Sequence, residues 1–415
     1  MATALAQIPA AREISSPLQI VEDSRATKAL ESFGKNSTWI TEQLIKITEV
    51  AAPPFREAQR AVLLRRLLAS AGLRARTDDV GNVIAERAGR QHGSVVIISA
   101  HLDTVFPPGT NVRTRRDGTR ILAPGVSDNG VGLAALVAVA RALDESKLKT
   151  RATIVFSANV GEEGEGNLRG MRRLVEQYRG RLRAVIAIDG PSVEHVTTMA
   201  LASRRFEVTV SGPGGHSWTD FGMPNPIHAL SRGVTRFVKV RVPEDPRTTF
   251  NIGTIEGGTS VNSIPYRAAI KVDLRSESEA EIQKLEDALR EAIQAGIEEE
   301  NAAARERGAG ARNNGRLEAR FKSVGARPGG ELAPGSALLA ALQSADRYLG
   351  NRSRQERSST DANIPLSQGI PAISVGAGGR GGGSHSLEEW YDSAGRELGL
   401  KRVLLTLLGV AGMEK

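Results

Sequence analysis

The sequence predicts an α/β protein in which a mainly parallel central sheet flanked by helices is interrupted by an inserted α+β unit of ferredoxin-like order. Three observations predict it. The chain has 415 residues, more than one hydrophobic core usually organises, which points to two domains. Up to residue 199, short β-branched runs alternate with helical stretches, as a parallel sheet with helices on both faces requires. Beyond residue 199 the strands alternate polar and apolar residues, as half-exposed strands do, and the earlier style returns near residue 327. The expected boundaries are therefore 1–200 with 327–415 for the larger domain, 201–326 for the insertion, and 1–36 for a leader of uncertain structure.

The elements follow in order. The opening, MATALAQIPAAREISSPLQIVEDSR, lacks the basic start and continuous apolar core of a secretory signal, and reads as a flexible or loosely docked leader. Residues 37–71 are helical in pattern, broken at APPF (52–55), where two prolines force a turn. SVVIIS (94–99) is a central strand by its β-branched content. GVGLAALVAVARAL (130–143) is a buried helix, and ATIVFSA (152–158) and AVIAID (184–189) are apolar strands. In the insertion, RFEVTVS (205–211), a helix over 225–240, FNIGTIEGG (250–258) and YRAAIKVDLR (266–275) lead to a long helix with Ile282, Leu285, Leu289 and Ile293 on one face. RLEARFK (316–322) completes the order β-α-β-β-α-β. The basic stretch RERGAGARNNGR (305–316) reads as a solvated connection. A helix over 336–349, the strand PAISVG (371–376) and a last helix facing the core through Leu400, Val403, Leu404, Leu407 and Leu408 end the chain. The loop GAGGRGGGSH (376–385) lacks the spacing of a phosphate cradle and reads as backbone accommodation near a site.

Composition narrows the function. Hydrophobic content of 40% and charged content of 25% are ordinary for a globular protein. There is no cysteine, so a metal site must use His, Asp and Glu, which suit zinc, manganese or cobalt. The net charge is +8, but the basic residues are scattered among acids and aromatics make up only 4%, which argues against a nucleic-acid partner. No run of 18 apolar residues suggests a membrane span, and a cytoplasmic location is the expectation.

Metal-type residues fall where the predicted strands end, which is where open α/β sheets place their sites. His101 and Asp103 follow the strand at 94–100. Asp128 lies in GVSDNGVG, Glu162 and Glu163 in GEEGEG, Asp189 ends AVIAID, and His385 follows the glycine loop. Each has a plainer reading. Asp128 could be a helix N-cap, Glu162 and Glu163 loop charges, Asp189 a strand-end cap and His385 a surface residue. Together they resist it, because adjacent glutamates in a glycine-flanked turn repel unless a cation lies beside them.

The motifs HLDT, GVSDNGVG, GEEGEGNLRG, AIDG, GPGGHS, GTIEGGTSVNSIP and GGGSHSLEEW, in this order over residues 101–390, with AAPPFREAQR before them, make the sequence resemble the two-zinc peptidase and deacylase family of peptidase T, aminoacylase, succinyl-diaminopimelate desuccinylase and glutamate carboxypeptidase. The resemblance implies a phosphorylase/hydrolase-like catalytic domain and an inserted lid and dimerisation domain. It also implies two divalent ions per subunit, zinc first with cobalt or manganese accepted. His101, Asp128 and Asp189 would hold one, and Asp128, Glu163 and His385 the other. Asp103 would hydrogen-bond the His101 ring, and Glu162 would act as general base. His216 would stabilise the oxyanion in the partner subunit's site of a homodimer. Asn262 and Arg275 would grip the substrate. Asp at position 189 goes loosely with aminopeptidase-like relatives. The implied activity is hydrolysis of an amide bond in a small peptide, with N-acyl amino acids as the alternative substrate class and a catalytically inactive metal- or peptide-binding protein as the alternative of another class. His92, His195 and His228 match no motif.

Overall fold

The structure is a computed structural model that describes residues 14–308 and 315–414. The chain divides into two compact units, Met1–Ala200 with Gly330–Lys415, and Leu201–Gly329. The first 13 residues of the leader and residues 309–314 of the basic stretch lie outside the described residues.

The first unit opens with helices α1 (Pro17–Val21), α2 (Ser24–Lys35), α3 (Ser37–Thr48) and α4 (Ala58–Ser70). The expectation of a loosely docked leader is corrected for residues 14–36. Ser16 and Gln19 cap α1 reciprocally, and Ile20, Ala26, Ala29 and Phe33 are buried. In α2 Ala26, Ala29, Leu30 and Phe33 recur at helical spacing, so one face docks into the core while the other stays polar. Strands β1 (Ala75–Thr77), β2 (Val83–Arg87) and β3 (Gln91–His101) follow. Next come β4 (Arg115–Asp117), β5 (Arg120–Leu122), α5 (Val131–Glu145), β6 (Ala152–Asn159), α6 (Arg169–Gln177), β7 (Leu182–Ile188) and β8 (His195–Ala200).

The second unit consists of β9 (Ala202–Ser211), β10 (Gly215–His216), α7 (Pro226–Phe237), β11 (Thr248–Gly257), β12 (Ser263–Ile264), β13 (Arg267–Ser276), α8 (Glu279–Glu306) and β14 (Glu318–Arg327). Its four long strands form an antiparallel sheet in the order β11-β13-β9-β14. Inward residues such as Val208, Ile270 and Leu274 pack with Leu230, Leu289 and Ile293 of α7 and α8 in a core of their own. β10 and β12 make a separate two-stranded ribbon in which His216 lies opposite Ser263.

The chain then returns to the first unit with β15 (Gly330–Glu331), α9 (Ala337–Leu349), β16 (Arg354–Ser358), α10 (Asn363–Ser367), β17 (Ala372–Val375), β18 (Arg380–Gly382), β19 (Trp390–Asp392) and α11 (Arg396–Ala411). The central sheet runs β1-β2-β6-β3-β7-β17-β8-β15, with β16 also beside β8. Its middle, β6-β3-β7-β17, is parallel, but β2 meets β6 antiparallel and β17 meets β8 antiparallel. The sheet is therefore mixed rather than mainly parallel. Helix α5, with the turn before it, is long and apolar enough to cross a membrane, yet 89% of its apolar window is buried within the fold, so it is a core helix. A small second sheet, β18-β19-β5-β4, borders the site.

The parallel strands end at one edge. β3 is flanked by β6 on one side and β7 on the other, which makes that edge a topological switch point, the usual ligand position of an open α/β sheet. His101 pairs in register with Asn159. Ser99 lies opposite Ala187, which brings Asp189 level with His101 two residues further on.

Candidate metal centre

Seven residues singled out from the sequence meet at this edge. His101, 1% exposed, points Nε2 at Asp128 Oδ1 (3.1 Å) and Asp189 Oδ1 (3.6 Å). His385 Nε2 lies 3.2 Å from Asp128 Oδ2 and 3.2 Å from Glu163 Oε1. Two overlapping triads result, His101–Asp128–Asp189 and Asp128–Glu163–His385, with the candidate ligand atoms of each within 4.8 Å of one another. Asp128 belongs to both and presents one oxygen to each.

Asp103 has a different part from the one expected. The His101 Nδ1–H donates to the backbone carbonyl of Asp103 at 3.0 Å, whereas the carboxylate is 3.8 Å away. That carboxylate, fully buried, accepts the backbone N–H groups of Glu162 (3.1 Å) and Glu163 (2.7 Å). Asp103 thus fixes the His101 tautomer through its main chain and holds the Glu162–Glu163 turn through its side chain. Burial raises its pKa.

The Asp128 turn is held by residues that sequence reasoning missed. Glu389, fully buried, accepts the N–H groups of Gly125 (2.8 Å), Ser127 (2.7 Å) and Asp128 (2.8 Å) and the Ser127 hydroxyl (2.8 Å). The Asn129 side chain donates to the Ile188 carbonyl (2.8 Å) and accepts the Gly190 N–H (3.3 Å), tying Asp128 to Asp189. Glu389 lies in the quoted motif GGGSHSLEEW, where nothing set it apart from Glu388. The buried Arg60 guanidinium donates to the carbonyls of Val50 (2.7 Å), Leu102 (2.8 Å) and Thr48 (3.4 Å). Burial pulls its pKa down to about 10 against the opposing charges of Asp103 and Glu389. Asp361, also buried, accepts from Asn159 Nδ2 at 2.8 Å, and burial pushes its carboxyl up to about 6. The glycine loop serves close approach. Gly379 has φ +89°, and a Cβ there would lie 2.6 Å from the Asp392 carbonyl.

The donor set fits cations. His101 Nε2 and Asp128 Oδ1 are buried and 3.1 Å apart, yet neither makes a well-formed hydrogen bond, as expected of ligand atoms aimed at a shared point. Burial opposes charge on His101, but Asp128 and Asp189 outweigh it and raise its pKa well above the imidazole range. Asp128 and Glu163 push His385 up to about 10. Burial would raise Asp128, yet the two imidazoles hold its carboxyl below the usual range. The cluster demands positive charge, which divalent ions supply.

The remaining candidates lie in the second unit. His216 Nδ1 accepts the backbone N–H groups of Trp218 (3.1 Å) and Thr219 (3.4 Å), which leaves the ring proton of the neutral form on an exposed Nε2. The Asn262 carbonyl accepts the Ser217 N–H at 3.0 Å, so Asn262 is beside His216. Arg275 is not. It pairs with Asp273 at 2.6 Å, eight residues along β13 from Arg267 and hence about 27 Å from the ribbon end of the strand. His195 pairs with Glu356 (3.1 Å) and His228 lies near Glu300 (3.5 Å).

An α/β sheet whose parallel strand ends gather two imidazoles and two further carboxylates around one shared aspartate, with a second glutamate adjacent, has the donor set of a metal-binding hydrolase. The sequence profile of peptidase family M20/M25/M40 matches residues 97–408, and the chain belongs to that family, whose members depend on dinuclear metal centres. YqjE of Bacillus subtilis, itself uncharacterised, is 24% identical over 366 residues, covering 83% of this chain and 91% of YqjE. The di-peptidase Dug1p of Saccharomyces cerevisiae superposes with a TM-score of 0.72 at 14% identity, covering 94% of this chain and 99% of Dug1p. YXEP of Bacillus subtilis, described as a dinuclear metal-binding peptidase of the M20 family, gives 0.62 at 18% identity, covering 90% of this chain and 98% of YXEP. At these identities the two structures show the shared fold.

Proposed function

We propose that the protein hydrolyses the amide bond of a small peptide, a di- or tripeptide, in the manner of an aminopeptidase. The observation that carries this is the pair of triads sharing Asp128, with Glu162 next to a ligand in the turn held by Asp103. His101, Asp128 and Asp189 would hold one divalent ion, and Asp128, Glu163 and His385 the other. Zinc suits two imidazoles among carboxylates. When bound, such ions polarise a scissile carbonyl and lower the pKa of water toward about 7. Glu162 takes the proton from the attacking water and delivers it to the leaving amine. The smaller unit supplies His216 to the partner subunit of a homodimer, where Nε2–H donates to the developing oxyanion. The separation of Arg275 from His216 and Asn262 along β13 supports a site that draws on two chains, since one chain cannot bring all three to one small substrate. Asp at position 189 and the di-peptidase activity named for Dug1p favour peptides over N-acyl amino acids.

The test is a substrate panel. Protein stripped with a chelator and reloaded with zinc, cobalt or manganese is assayed on di- and tripeptides and on N-acyl amino acids. Turnover of the peptides with any of the three metals is the expected result. Cleavage confined to N-acyl amino acids would overturn the peptide assignment.

A further inference from the structure

The turn between α3 and α4 carries a feature that the metal cluster does not explain. Phe55 has φ +68°, a left-handed conformation that glycine enters freely and a bulky side chain resists. Its ring is 63% exposed. A lone exposed phenylalanine on a relaxed backbone would be unremarkable, but this one is held in place. Its N–H donates to Glu57 Oε1 at 3.1 Å, and the same oxygen accepts Arg169 Nη2 at 2.6 Å. The Arg169 guanidinium carbon lies 4.6 Å from the Phe55 ring centroid, a cation–π contact. Glu57 is only 4% exposed, so the ion pair is shielded and Arg169 is neutralised from beneath.

This scaffold ties the Phe55 turn to the segments that carry the cluster. Arg169 packs so closely on Gly161 that a Cβ there would lie 2.1 Å from Nη1, and Glu162 is the next residue. On the other side, the Thr104 N–H donates to the Ala52 carbonyl at 2.9 Å, one residue past Asp103. The turn carrying Phe55 is therefore anchored to both segments that place Asp103 and the Glu162–Glu163 pair. Glycine would meet the backbone demand of the turn with less strain. Keeping a phenylalanine there, with one face backed by a paired arginine, leaves the rest of the ring as a rigid apolar surface.

Resting on the peptidase reading above, we propose that Phe55 is a specificity-determining residue, the wall that receives an apolar or aromatic side chain flanking the scissile bond. Because Glu57 pairs with Arg169 through Nη2 and Nη1 is buried, the wall presents apolar surface and selects by apolar contact.

The test measures kcat/KM of the full-length, metal-loaded wild type, Phe55→Ala and Phe55→Gly on the dipeptide series X-Gly and Gly-X, with X as Gly, Ala, Leu or Phe, and on the matching N-acetyl amino acids. In one series the wild type favours Leu and Phe. There both variants lose about tenfold or more on large X while changing by about twofold or less on X = Gly. Phe55→Gly relieves the backbone, so its thermal midpoint equals or exceeds that of the wild type, which separates loss of the wall from misfolding. An equal loss for every X, no loss, or a wild type without preference for large X in any series overturns the proposal. If only the N-acetyl series is cleaved, the peptide reading falls, and the X-dependence in that series still decides for or against Phe55.

Discussion

Replacing Glu389 tests whether the Asp128 turn is built by a carboxylate more than 250 residues further along the chain. Glu389 is buried and accepts four hydrogen bonds, three from consecutive or near-consecutive backbone N–H groups at Gly125, Ser127 and Asp128. Alanine would leave those three donors buried without an acceptor, at about 1–3 kcal/mol each. Relaxation and water recover part of the sum, so the expected destabilisation is about 3–6 kcal/mol. Against a total stability of about 5–15 kcal/mol for such a fold, Glu389→Ala sits near the threshold of folding. Glu389→Gln is the sharper probe. Its carbonyl oxygen can still serve Ser127 and Asp128, while its amide group turns a donor toward the Gly125 N–H, at a cost of about 1–3 kcal/mol. With Asp128 loosened, metal affinity should fall about 10- to 100-fold. Urea unfolding in the presence of chelator gives the first quantity, and competition with a chromophoric zinc chelator gives the second. A Gln variant with both the midpoint and the affinity of the wild type would refute the reasoning.

Three other perturbations follow from the same contacts. Glu162→Ala should retain metal and lose about 10²- to 10⁴-fold in kcat, while mixing it with His216→Ala subunits should restore part of the activity if the site is shared between chains; no recovery counts against sharing. Arg60→Met removes the donor to three buried carbonyls and a cation near Asp103 and Glu389, and should cost about 2–4 kcal/mol in urea unfolding. In the second unit, burial would raise Asp273, but Arg205 and Arg275 outweigh it and lower its pKa. Its contribution is therefore complete above the unfolded value of about 4 and is lost as pH falls through the lowered folded value. The partners are partly exposed, so the contribution is about 1 kcal/mol or less, and stability of Asp273→Asn measured at stepped pH should show a flatter acid limb than the wild type.

How much of this was legible in the sequence depends on the range of the signal. Strand β3 announces itself through Val95 to Ile98, and the chain must turn where the apolar run stops, so His101 at a strand end was readable from a few neighbours. The same holds for Glu162 and Glu163 after β6 and for Asp189 after β7, and the parallel pairing of β6, β3 and β7 then gathers them at one edge. β2 and β8 are five and six residues long, and the strands of the small sheet have three each, too few for periodicity to show. Their pairing comes from partners far along the chain, and with it the antiparallel flanks that make the sheet mixed. Asp103 shows how a correct neighbourhood can still mislead. Residues two apart on a strand share a face, which suggests that its carboxylate meets the His101 ring. The strand ends at His101, so the carbonyl of residue 103 takes that contact and the carboxylate is freed to bind the Glu162–Glu163 turn. Glu389 and Arg60 fall inside two of the quoted motifs, GGGSHSLEEW and AAPPFREAQR, but nothing in their neighbours assigned either a task. A buried carboxylate becomes recognisable only when the orphan N–H groups it serves are in view, and a buried guanidinium only when the carbonyls it caps are. For that reason the polar residues that hold the cluster in shape, rather than the cluster itself, are the part of this protein that pattern alone could not supply.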